Sequence, residues 1–148
     1  MQSMYEKSFL NPLQMLEIAR YHAQAARHLL AVDGKTFPDM ENNIQPALSL
    51  LYLAIELTFK ACILQEHGRL RPVKGLHALY ELTPLIELSQ PEQALLKKLG
   101  QQQVFRNGAE YKLWENEQQL QVFAHQIVML HERILEQIPL ELNQDYWS

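Results

Sequence analysis

A single cysteine in a chain of 148 residues leaves an internal disulfide with nothing to join. Cys62 therefore fits a reducing compartment, and a buried inert thiol more than a nucleophile. Neither sign of charge dominates. With 13 basic and 17 acidic residues the net charge is -4, which gives no global attraction to nucleic acid or an anionic membrane, so only a local patch could carry such a role. The first ten residues, MQSMYEKSFL, hold no continuous apolar stretch, and no secretory leader is expected. The longest apolar run, Leu48 to Leu64, is shorter than the ~20 residues that cross a bilayer and carries two charges. The expectation is a soluble, cytoplasmic chain with no membrane partner. Convincing strand patterns are also missing. The five glycines fall mostly where apolar periodicity stops.

What is present is helical periodicity. Asn11 as N-cap and Pro12 in the first helical position open a segment reaching about Val32, with Leu16, Ala19, Ala23, Ala26 and Leu30 as its apolar stripe. That stripe is narrow and built of small residues, so a neighbouring helix can approach closely. Asp33-Gly34 ends it. A second helix is expected from Ile44 to His67, with Pro46 in its first turn and Gly68 after its end. A shorter one, Leu76 to Leu82, follows Gly75 and is broken by Thr83-Pro84. Ser89-Gln90-Pro91-Glu92 fits a capping box for a helix running to about Gln102. A last helix starts near Asn116–Gln119, carries Leu120, Phe123, Ile127, Leu130, Ile134 and Ile138, and stops at Pro139. One all-α domain over residues 1–148 is predicted, an up-and-down bundle of four to five helices.

The second helix is apolar on most of its circumference, which marks a central helix surrounded by others. Only Ser49, Glu56, Thr58 and Lys60 interrupt it between Leu48 and Leu64. A charge buried on such an element is costly unless paired, so Glu56 and Lys60 are candidate binding residues. Their spacing also suits a plain surface ion pair. Downstream, His67, Arg69, Arg71, Lys74 and His77 concentrate positive charge in one link of an otherwise acidic chain. Such a link can bind phosphate, or it can pair locally with Glu66 and Glu81. His22/His28 and His125/His131 are each six apart, which points them to different sides of a helix, so no metal site is expected.

Three short motifs resemble the HEPN superfamily of helical-bundle proteins. Ala54-Ile55-Glu56 followed by Lys60-Ala61 is similar to the A-x-E-x-x-x-K-A of a HEPN core helix. Gly75-Leu76-His77-Ala78-Leu79 is similar to the G-H-x-L opening the next helix, with one Leu inserted. Phe105-Arg106-Asn107 is similar to the R-N that begins the HEPN catalytic motif. The resemblance implies a HEPN-like bundle that dimerises with itself, with Arg106 to Tyr111 near the two-fold axis. It further implies a toxin–antitoxin, stress or defence setting linked to nucleic acid, a nucleotidyltransferase-type protein partner, and RNA or a nucleotide as ligand, with no cofactor.

Active members of that superfamily cleave RNA without metal, using an arginine, a short spacer and a histidine. Arg106 and Asn107 stand in place here, but the position expected to hold histidine is Tyr111. A phenol with a pKa near 10 is a poor base at neutral pH. Arg71 and His77 have the allowed spacing, which chance alone supplies in a chain of this composition, and they occupy the wrong helix junction. The reading is a catalytically degenerate binding module, with Glu56, Lys60, Asn107, Arg69, Arg71, Lys74 and His77 as binding residues. Its rivals are a metal-independent endoribonuclease using Arg106 and Tyr111, and a purely structural helical adaptor.

Overall fold

The structure, a computed structural model, describes residues 11–31, 44–70, 72–105 and 117–138, with 102–105 and 117 described by backbone alone. Among the described residues every regular element is an α-helix: α1 (Pro12–Ala31), α2 (Ile44–His67), α3 (Leu76–Glu81), α4 (Gln90–Phe105) and α5 (Glu117–Glu136). The all-α bundle expected from the sequence is therefore the fold.

Local chemistry sets the helix ends. At α1 the N-cap is reciprocal: the Gln14 amide donates to Asn11 Oδ1 at 2.8 Å, and the Asn11 amide donates to Gln14 Oε1 at 3.0 Å. Two N–H groups that the helix itself leaves unpaired are thereby satisfied. The same device opens α4, where the Ser89 amide donates to Glu92 Oε1 at 2.7 Å and the Glu92 amide to Ser89 Oγ at 3.2 Å. At the end of α2 the Gly68 amide donates to the Leu64 carbonyl at 2.8 Å with φ at 76°, a left-handed cap that glycine adopts without steric cost. Helix α4 runs three residues past the expected Gln102, since the glutamines at 101–103 contain no breaker.

Helix α2 is the axis of the bundle and packs against each of the other four helices. Its inward side contributes Leu48, Leu51, Ile55, Phe59 and Ile63 to one continuous core with Leu16, Leu76, Leu96, Ile127 and Ile134. Each such side chain, fully buried, stabilises the fold by about 1.5–3 kcal/mol relative to exposure. Ala19 and Ala23 of α1 meet Ala54 of α2, so the small-residue stripe works as expected and lets the two backbones come close. At 24 residues α2 exceeds the Leu48–Leu64 run at both ends, and by length and composition it could cross a bilayer. Over half of its most apolar stretch is instead buried inside the bundle, where that apolarity builds the core.

Helices α4 and α5 run antiparallel. Glu92, near the start of α4, pairs with Arg133, near the end of α5, at 2.9 Å. Lys98, further along α4, lies 5.1 Å over the ring of Phe123, near the start of α5. A two-way clasp extends this seam: Gln137 Oε1 accepts from the Glu87 amide at 2.8 Å while its Nε2 donates to the Glu87 carbonyl at 3.1 Å.

Candidate functional site

Two polar pairs project from α2, one outward and one inward. Successive positions on a helix turn by about 100°, so Glu56 and Lys60 share one side while Thr58, between them, points to the other. Glu56 and Lys60 pair with each other at 3.4 Å, with side chains 27% and 34% exposed. The charges are thus half-buried and mutually satisfied, which resolves the cost that made them conspicuous in the sequence. The pair borders water and remains open to a partner.

The inward pair is Thr58 with His131 of α5, and sequence reasoning missed it. Both residues are essentially inaccessible, 0% and 1% exposed, and Thr58 Oγ1 lies 3.1 Å from His131 Nε2. The hydroxyl proton is already committed, because Thr58 Oγ1 donates to the Ala54 carbonyl one turn earlier at 2.7 Å. The geometry therefore assigns the proton on His131 to Nε2, which donates to the threonine oxygen. Among the described residues its Nδ1 has no hydrogen-bond partner. This is not a nucleophile-and-base pair, since the imidazole gives a hydrogen bond to the hydroxyl rather than receiving one. Burial pushes the His131 pKa down to about 3, and the nearby Arg20 and Arg27 guanidinium groups of α1 add to the effect. Arg27 itself pairs with Glu132, next to His131. A sequence signal did exist: position 131 falls between Ile127 and Ile134 on the apolar stripe, and Thr58 sits inside an apolar run.

The basic link divides. Arg69 and Lys74 are exposed and have no ion-pair partner among the described residues. His77, in the first turn of α3, lies 3.8 Å from Glu81 and stacks obliquely near Tyr80, with ring centroids 5.9 Å apart. Gly75 sets the start of α3 with φ at 95°, a conformation that side chains disfavour. Arg71, Arg106, Asn107 and Tyr111 lie outside the described residues. Chain connectivity puts the last three in the segment joining α4 to α5. His125 is exposed while His131 is buried. Among the described residues no three His, Cys, Asp or Glu side chains gather at a spacing able to hold a metal. Cys62 is free and buried on α2, and burial first, then the charge of Glu66, raises its pKa to about 12.

No family model, curated protein or solved structure matches the chain.

Proposed function

We propose that this chain is a HEPN-like helical binding module that has lost ribonuclease chemistry and acts as a homodimer in the cytoplasm. Its setting is a toxin–antitoxin, stress or defence system linked to nucleic acid, beside a nucleotidyltransferase-type partner. The observation that carries this reading is the placement of Glu56 and Lys60. These two motif positions stand side by side on the outer side of the central helix, within reach of a partner. Gly75, the first residue of the second motif, opens α3 in support. Arg69 and Lys74 supply exposed positive charge at the end of α2, suited to a phosphate backbone.

The test combines RNA binding, read by fluorescence anisotropy at low and moderate salt, with a cleavage assay in EDTA. Salt-dependent binding that weakens when Arg69 and Lys74 are changed to Ala, with no cleavage, is the expected result. Cleavage that disappears in Arg106→Ala would overturn the non-enzymatic reading in favour of a metal-independent endoribonuclease using Arg106 and Tyr111. Absence of any RNA or nucleotide binding would leave a structural helical adaptor.

A further inference from the structure

Helix α2 carries a second apolar stripe, at the rim of the core. Pro46, Leu50, Leu53, Leu57, Lys60 and Leu64 recur at three-and-four spacing, the pattern by which one helix packs along another. Leu53 is 36% exposed, and Leu50, Leu57 and Leu64 are half-buried, each resting partly on the core and partly open. The neighbouring helices flank this strip and leave Leu53 as its most exposed leucine. Leu57 touches the Ala19, Ala23 and Ala54 cluster shared with α1 on one side. Phe59, turned inward on the other side, meets Tyr80 of α3 at 6.1 Å. A helix flank facing only water would carry polar residues here.

We infer that this outer strip of α2 is the surface through which two copies of the chain pair, the two helices antiparallel about a two-fold axis midway between Glu56 and Lys60. The inference rests on the homodimer in the reading above and assigns its two-fold axis to α2, in place of the Arg106–Tyr111 segment that the resemblance implies. Charge selects a second copy as the occupant. Lys60 lies in the strip and Glu56 at its edge, a single turn apart. A two-fold axis brings each residue against its counterpart's partner, so a contact made once is made twice. Antiparallel pairing at this axis sets Glu56 of each copy opposite Lys60 of the other, forming two ion pairs together. It also brings Leu64 of each copy to the level of Leu53 in the other, and places the two Leu57 side chains close to the axis. A polyanion such as nucleic acid would instead meet Glu56 with like charge, at the edge of the strip.

The test is sedimentation equilibrium of the full chain over a range of concentrations, with circular dichroism to confirm that each variant is folded. The wild type is expected to dimerise. Lys60→Glu sets acid against acid across the axis twice and should raise the dimer Kd about tenfold or more. The double exchange Glu56→Lys with Lys60→Glu restores opposite charges facing each other and should return the Kd to within about threefold of wild type. Leu53→Lys, on the solvent side of a folded monomer, should abolish dimerisation. A wild type still monomeric at about 100 µM would overturn the inference, since that concentration exposes all but the weakest association. So would a dimer indifferent to Leu53→Lys, or a double exchange as weak as Lys60→Glu alone. Failure of the RNA reading leaves these outcomes unmoved, and a monomeric chain that still binds RNA sinks only the pairing.

Discussion

Glu56–Lys60 and Thr58–His131 occupy the same two turns of α2, yet they differ in almost every physical respect. The first pair is charged, at the border of water, and its two members are local to one helix. The second is uncharged and buried, and it ties α2 to α5 across 73 positions of sequence. An exposed or half-exposed ion pair contributes a few tenths of a kcal/mol. A buried hydrogen-bonded pair has much more at stake, because removing either member leaves the other desolvated and unpaired. The outer pair is therefore free to serve recognition at little cost to the fold, while the inner pair belongs to the fold and has no access to a ligand.

The largest expected effect strikes the inner pair through pH. The folded-state pKa of His131 is about 3 against an ordinary 6.5, so between those values the unfolded chain binds the extra proton and the folded chain does not. Stability from this group is complete above pH 6.5 and is lost as pH falls toward 3, by on the order of 5 kcal/mol in full. Urea titrations at stepped pH should show this acid decline. His131→Leu, whatever its stability at pH 7, should flatten the slope between pH 6 and 4, and an unchanged slope would remove His131 from the account. Cys62 gives the alkaline counterpart. Its thiol, raised from 9.0 to about 12, favours the folded state below pH 9, and that stability fades as pH rises toward 12, by on the order of 4 kcal/mol. Cys62→Ala should reduce the alkaline decline, and native Cys62 should resist a thiol reagent at pH 8 until the chain is unfolded.

Thr58→Val comes next in size. It keeps the shape of the side chain and deletes the acceptor for His131 Nε2–H, leaving a buried donor unpaired. A loss of about 1–3 kcal/mol in denaturant unfolding is expected. Pairing Thr58→Val with His131→Leu should cost less than the two single losses added, because the second change removes the orphaned donor. Strict additivity would mean that the 3.1 Å contact carries no coupling.

Most of the architecture was readable because its signals are local. Pro46 and Gly68 bracket α2, so the expected limits Ile44–His67 are the observed ones. Asn11 and Ser89 cap the helices they were expected to cap, and the stripe from Phe123 to Ile138 is buried. The features that escaped are those in which two distant positions satisfy each other. Histidine at 131 looks like a polar interruption until Thr58 is placed against it. The Gln137–Glu87 clasp and the Arg133–Glu92 bridge likewise join segments about 40 or more positions apart and leave no trace in periodicity. Of the candidate site, the Glu56–Lys60 pairing followed from its spacing alone. Arg106, Asn107 and Tyr111 lie outside the described residues.

The smallest effect sharpens the comparison most. Lys60→Met keeps an unbranched side chain of similar length and good helix propensity on α2, but it removes the charge facing Glu56. Because that pair is 27% and 34% exposed, the loss in unfolding free energy of the isolated monomer should stay below about 0.5 kcal/mol. The same substitution should also leave the acid decline assigned to His131 intact, since Thr58 and His131 lie on the other side of the helix. A loss of about 2 kcal/mol or more in the monomer would mean that Glu56 is held in a setting as demanding as that of His131. The outer pair would then be a structural element of the bundle, and its freedom to recognise a partner would go with it.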